Sequence, residues 1–294
     1  MLARLQKTLC ISLLLAATWA LANLWGTSPL RAIATALLIF FGFTLILACE
    51  FVVMYLVHKG DATPRTTVRQ MAAAWWMEAR QDLRVFFWRQ PFRSNAVPDD
   101  LAQRDLRGVV FIHGLFCNRG FWTPWMLRLR QVGRPYVAVN LEPPFGTIDD
   151  YVGIVESAVQ RVTAATGMPP VLICHSMGGL AARAWLGSSA TTRARVARVI
   201  TIGTPHAGTW MARFGHGHNG RQMRLRSEWL STLAGRETAD CNALFTCWYS
   251  NCDNIVFPAS TAALPGADNR LVPGVAHVAL AFHPTVMRES LAML

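Results

Sequence analysis

Hydrophobic and polar positions change rhythm twice along the chain. From Leu9 to Trp25 no residue is charged, and from Ile33 to Val57 the only charge is Glu50. At about 1.5 Å rise per residue these runs of 17 and 25 residues make roughly 25 and 37 Å of helix. A bilayer core is about 30 Å thick, so the second run spans it comfortably and the first only just. The link "GTSPL", with Pro29 in it, joins them as a transmembrane helical hairpin. The first run also fits a signal peptide, with Arg4 and Lys7 before it and Ala20-Leu21-Ala22 as a cleavage-like triplet. Glu50 is the awkward residue, facing the first helix or a lipid headgroup, or lying near the interface.

Basic flanks set the orientation. Arg4 and Lys7 precede the first run, only Arg31 lies in the loop, and Lys59, Arg65, Arg69, Arg80 and Arg84 follow the second. Both ends are therefore expected inside: a multi-pass membrane protein with the remainder of the chain on the cytoplasmic side. The next segment, "TVRQMAAAWWMEARQDLRVFFWRQPFR" (67–93), interleaves Trp75, Trp76, Phe86, Phe87 and Trp88 with arginines. Such a segment suits an anionic membrane surface, and equally a helix covering the flank of the following domain.

After the turn-rich linker "RSNAVPDDLAQRDLR" (93–107) the rhythm becomes short apolar runs alternating with helical patterns. Strands are expected at 108–112, 136–139, 170–174, 197–202 and 243–249, with helices at 119–131, 149–166 and 177–187. Unbroken β-rich runs between helices predict an α/β class chain with a mostly parallel sheet covered on both faces. The expected division is 1–58 membrane anchor, 59–107 basic aromatic segment and linker, and 108–294 catalytic domain.

Composition changes this picture little. The 294 residues are 52% hydrophobic and 15% charged, and the excess apolar content sits mainly at the N-terminus. A net charge of +11 would invite nucleic acid, but the arginines form no dense tract, so no nucleic-acid partner is expected. The seven cysteines make no metal-ligand pattern, and Cys241, Cys247 and Cys252 are read as thiols. His216 and His218 in "GHGHNG" have no acidic or cysteine partner nearby, so no metal is expected.

The chemistry centres on "PPVLICHSMGGLAARAWL" (169–186). Ser176 ends a strand and is followed by Met177-Gly178-Gly179 and a helical pattern, a sharp turn that presents a hydroxyl to solvent. The Met177 amide then points where a helix N-terminus gathers positive partial charge, suited to an oxyanion. Cys174 stands where the G-x-S-x-G pattern has its first glycine. In "FIHGLFCNRGFW", Leu115 follows His113-Gly114 and is placed to donate a second oxyanion-hole amide. A serine nucleophile needs a base, and the base an orienting acid. "YSNCDNIVFP" supplies Asp253 just past a strand and "VPGVAHVAL" supplies His277; Asp240 and Asp268 are alternative acids, and His283 an alternative base. His206 reads as loop-shaping and His175 as a structural neighbour.

The chain resembles the α/β-hydrolase superfamily, and within it bacterial lipases and esterases. The likeness is carried by "HGLF" at 113–116, "CHSMGG" at 174–179, "TPHAGT" at 204–209, "DNIVFP" at 253–258 and "GVAHVAL" at 274–280. It implies Ser176 as nucleophile, His277 as base and Asp253 as its acid, with Leu115 and Met177 in the oxyanion hole. The implied activity is that of a membrane-anchored carboxylic ester hydrolase, acting on acyl lipids without a cofactor. An acyltransferase or thioesterase with the same triad, or a non-catalytic membrane binding module of the same fold, are the alternatives.

Overall fold

The computed structural model describes residues 1–102 and 105–294; Gln103 and Arg104, within the expected linker, lie outside the described residues. Six strands, β1 (Val109–Ile112), β2 (Tyr136–Ala138), β3 (Val171–His175), β4 (Arg198–Ile202), β5 (Phe245–Tyr249) and β6 (Asp268–Leu271), form one sheet. Their order is β2-β1-β3-β4-β5-β6 and every neighbouring pair is parallel. The first five fall within two residues of the expected runs. β6 was not among the expected strands: "DNRL" is polar and half-exposed at the sheet edge, so it carries no apolar signature.

The sheet's two faces follow from the pleat. Val109, Phe111, Ile173, Ile200 and Ile202 point into one core with Trp122 and Trp125, while Val110, Ile112, Leu172, Cys174 and Val199 point into the other.

Helices α1 (Leu2–Leu24), α2 (Pro29–Phe41), α3 (Phe43–Val57), α4 (Val68–Arg84) and α5 (Gln90–Arg93) precede the sheet. Helices α6 (Thr123–Gln131), α7 (Val152–Thr166) and α8 (Met177–Leu186) follow strands β1, β2 and β3. The short helices α9 (His218–Gln222), α10 (Glu228–Gly235) and α11 (Ala239–Asn242) fill the β4–β5 connection. Helices α12 (His277–Ala281) and α13 (Pro284–Ala292) close the chain.

The N-terminal part departs from the expected hairpin of two full spans. Among the described residues only α1 is a single helix long and apolar enough to cross a membrane, and the second run is bent by 55° between α2 and α3 at Gly42. Tertiary packing explains the bend. Phe51 and Met54 on α3 are buried in the same core as β1, and Trp75 Nε1 on α4 donates to Thr44 O at 2.8 Å. Phe40 and Phe43, on either side of the bend, both pack on Phe87. A straight helix through residues 33–57 would pull one end off these contacts, so α3 runs along the domain.

Helix α1 touches the domain through its first turns, and beyond them it packs along α2 with an exposed apolar outer face. Gln6 Nε2 donates to Phe116 O at 2.9 Å and Gln6 Oε1 accepts from Asn118 Nδ2 at 3.2 Å. Leu9, Leu14, Leu15 and Trp19 are exposed. Helix α4 opens on a Thr67/Gln70 capping box and lies against α12.

Candidate active site

The parallel ladder brings the C-terminal ends of β1, β3, β4 and β5 to one sheet edge, where an α/β sheet offers its crevice. Ser176 stands at that edge, immediately after β3, and its N–H continues the ladder to Ile202 O at 2.9 Å. Its backbone, at φ 55° and ψ −129°, is a conformation that L-residues avoid, costing about 1–3 kcal/mol. The chain turns there from strand to helix within a single residue. The small neighbours expected at the turn are needed: a side chain at Gly178 would collide with the Ile112 and His113 carbonyls. Cys174 is an ordinary β3 residue with no positive φ, fully buried in the second core. The strain of the turn therefore falls on Ser176, and position 174 does not require glycine.

Met177 begins α8, and Leu115 follows β1. Among the described residues neither backbone N–H is taken up by a protein acceptor. Gly114 brings this loop against the serine: a Cβ there would stand 2.7 Å from Ser176 Cβ and 3.3 Å from Oγ. His113 fixes the loop. Its Nε2 accepts from Leu141 N at 3.1 Å, so the proton is on Nδ1, which donates to Gly114 O at 2.9 Å. Burial lowers its pKa to about 4 and keeps the ring neutral.

Asp253 and His277 meet at the far side of the edge. His277 Nδ1 lies 2.8 Å from Asp253 Oδ2, and both side chains are buried. Asp253 Oδ1 accepts from Ile255 N at 2.9 Å and Val256 N at 2.7 Å, which locks the carboxylate plane. The carboxylate holds the proton on Nδ1 and leaves Nε2 as the free base. The His277 ring is 4.6 Å, centroid to centroid, from that of His175, the residue before Ser176. His175 is sandwiched between His277 and Phe121, and its Nε2 donates to His277 O at 3.2 Å. Burial holds His175 well below its ordinary pKa, so it stays neutral as a spacer. Ser176 Oγ and the His277 ring are not hydrogen-bonded to each other, a contact that commonly tightens when substrate arrives.

The competing residues lie elsewhere. Asp268 sits on β6 paired with Arg270, and Asp240 pairs with Arg193. His206 is buried against Thr201 Oγ1 at 3.0 Å, and His283 precedes α13. Among the described residues no cluster of His, Cys, Asp or Glu is placed to hold a metal.

A family model described as the alpha/beta hydrolase family matches residues 109–285, well over half of the chain. The chain belongs to that family. No curated protein matches it. The fold is similar to that of the mature form of a Bacillus licheniformis lipase, at 15% identity and a TM-score of 0.55, covering 65% of this chain and 94% of that one. It is also similar to Aspergillus fumigatus lipase B, at 20% identity and a TM-score of 0.54, covering 62% of this chain and 51% of the lipase. At these identities the likeness speaks for the fold of this α/β hydrolase and for nothing finer.

Three residues were not expected at the site from the sequence. Asn254 Oδ1 accepts from His277 N at 3.2 Å, and its Nδ2 donates to Glu50 Oε2 at 2.7 Å. Glu78, fully buried, accepts from Val278 N at 2.7 Å and Ala279 N at 2.8 Å. Glu50 thus turns toward the loop that carries Asp253 and Asn254 rather than the first helix or a headgroup. The partners of Glu50 and Glu78 lie about two hundred residues away, beyond any local pattern.

Proposed function

We propose that this α/β hydrolase is a membrane-tethered serine hydrolase that cleaves carboxylic esters of acyl lipids through Ser176, His277 and Asp253. The observation that carries the reading is the short Asp253–His277 bond beside a serine held in a strained strand-to-helix turn. In this mechanism Ser176 Oγ attacks the acyl carbonyl carbon while His277 Nε2 takes its proton. Negative charge builds on the carbonyl oxygen within reach of the Leu115 and Met177 N–H groups, which have no competing acceptor among the described residues. Collapse releases the alcohol, protonated by His277, and leaves the acyl group on Ser176. A water deprotonated by His277 then hydrolyses the acyl-enzyme and restores the serine. The mechanism needs no cofactor or metal.

The lipid substrate is supported by what surrounds the serine. Phe116 and Phe145, both largely exposed, pack edge to face at 5.2 Å on the loops after β1 and β2. Phe116 directly follows Leu115 and receives the Gln6 bond from α1, so an apolar rim lies beside the apolar helix. Helix α1, with α2 turned back along it, is the proposed membrane tether. Because α1 starts against the catalytic domain, an excursion through α1 and α2 returns the chain to the side it left. By the basic residues Arg4 and Lys7 that side is the cytoplasmic one. The segments 1–58, 59–107 and 108–294 then act as tether, bracing helix and catalytic unit.

The reading is tested by hydrolysis of a p-nitrophenyl ester series from short to long acyl chains, using detergent-solubilised protein. Activity rising with chain length and lost in Ser176→Ala supports it; equal rates on all chains remove the lipid preference, and activity in Ser176→Ala removes the triad.

A further inference from the structure

The helix that carries the catalytic base is short, and its start is where a base would lose its aim. Helix α12 begins at His277 and spans five residues, too few to be stable alone. The first N–H groups of any helix have no partner inside it. Here all three of the first are taken by side chains. His277 N donates to Asn254 Oδ1, Val278 N to Glu78 Oε1, and Ala279 N to Glu78 Oε2.

Both oxygens of one buried carboxylate thus grip consecutive amides directly after the base. Such charge-assisted bonds are roughly twice as strong as neutral ones. Glu78 belongs to α4, outside the region shared with the family, which begins at residue 109. It does not touch the reacting atoms.

We propose that Glu78 is a positioning residue for His277, holding the N-terminus of α12 so that the imidazole stays seated on Asp253 and facing Ser176. This rests on the triad proposed above. Asn254 supplies the third bond and ties the same point to Glu50 on α3, so the N-terminal helices brace the base from behind. The charged and titratable groups facing Glu78 are Asp82 on its own helix, Glu50 from α3, and Asp253 and His277 from the catalytic loops. Burial raises the Glu78 pKa to about 8, and the two N–H donors oppose that rise by favouring the ionised form. Where Glu78 is ionised, its negative charge favours the imidazolium that forms on His277 during turnover.

The experiment uses full-length, detergent-solubilised protein and compares wild type, Glu78→Gln and His277→Ala. Fluorophosphonate labelling rates at Ser176 are measured with the pH dependence of ester hydrolysis. Glutamine offers one oxygen and turns an NH2 toward an N–H, so Glu78→Gln loses one bond and the charge. A labelling rate lower by roughly tenfold to a hundredfold is expected, as is usual for a misplaced catalytic group. The acid limb of the kcat/KM profile should move to lower pH, with KM nearly unchanged. A folded Glu78→Gln protein that labels at the wild-type rate overturns the proposal. So does slower labelling with an unmoved acid limb, the mark of general loosening. If Glu78→Gln does not fold, Asn254→Ala decides: slower labelling with KM kept supports the bracket, and a wild-type rate refutes it. Wild-type protein that fails to label, or labelling that survives in His277→Ala, instead removes the triad itself.

Discussion

Asn254 Nδ2 donates to Glu50 Oε2 at 2.7 Å, joining the residue after Asp253, the proposed catalytic acid, to a helix 204 positions earlier. The expected membrane anchor is therefore also part of the wall behind the proposed active site. Asn254→Leu would leave Glu50 without this donor and His277 N without an acceptor. A loss of about 2–4 kcal/mol of stability follows, one unsatisfied buried group on each side. Denaturant unfolding of the solubilised chain measures it, and a loss below about 1 kcal/mol would mean the bond is incidental.

Asp253→Asn tests the acid on its own. The amide presents an N–H or an oxygen to Nδ1 without the charge that orients the ring and steadies the imidazolium. A fall in kcat of about 10³–10⁴ with KM little changed is expected. Steady-state kinetics on a soluble p-nitrophenyl ester would show it, and a loss under about tenfold would point to another acid.

Buried acids on α4 make stability fall with rising pH. Burial pushes the Asp82 carboxyl up to about 9, with Glu78 and Glu50 adding to the rise. Glu78 is pushed upward as well, but the two N–H bonds draw the charge to it, which assigns the retained proton to Asp82. An unfolded aspartate titrates at about 4. Between there and about 9 the folded chain holds a proton that the unfolded chain has released, so stability drops across that window and levels off above it. Asp82→Asn removes the titration. Its Tm relative to wild type should therefore be higher at about pH 9 than at about pH 5, and a constant difference would contradict the assignment.

The bare apolar face of α1 gives a binding prediction. Replacing Leu14, Leu15 and Trp19 together by serine removes three exposed apolar side chains, each worth about 1.5–3 kcal/mol when buried in lipid. Co-flotation with anionic liposomes should fall by at least about tenfold while ester hydrolysis in detergent persists. Unchanged flotation would shift the membrane contact to another surface.

The sheet was readable where its strands are apolar runs, because a parallel strand buried on both faces needs no polar alternation. β6 escaped for the opposite reason: Asp268, Asn269 and Arg270 are polar residues on an edge, and only pairing with β5 makes them a strand. Ser176, Asp253 and His277 could be proposed from sequence because each sits in a local motif, and the structure pairs His277 with Asp253 and puts Ser176 in the strand-to-helix turn. Glu78 could not be, since an acid among arginines on an amphipathic helix reads as a solvated face until a distant helix terminus comes to meet it. The bend at Gly42 was equally hidden: composition measures how apolar residues 33–57 are, whereas the break depends on which of them the domain core claims. Cys174 looked like a defect in the turn only because the pattern implied a glycine where the backbone is regular β.

The proposed chemistry depends on an activated serine at position 176. Detergent-solubilised protein treated with a fluorophosphonate probe and mapped by peptide mass spectrometry tests it whatever the natural substrate is. Modification at Ser176, abolished in His277→Ala, is the predicted result. Well-folded protein that remains unmodified, or is modified at another serine, would contradict the account.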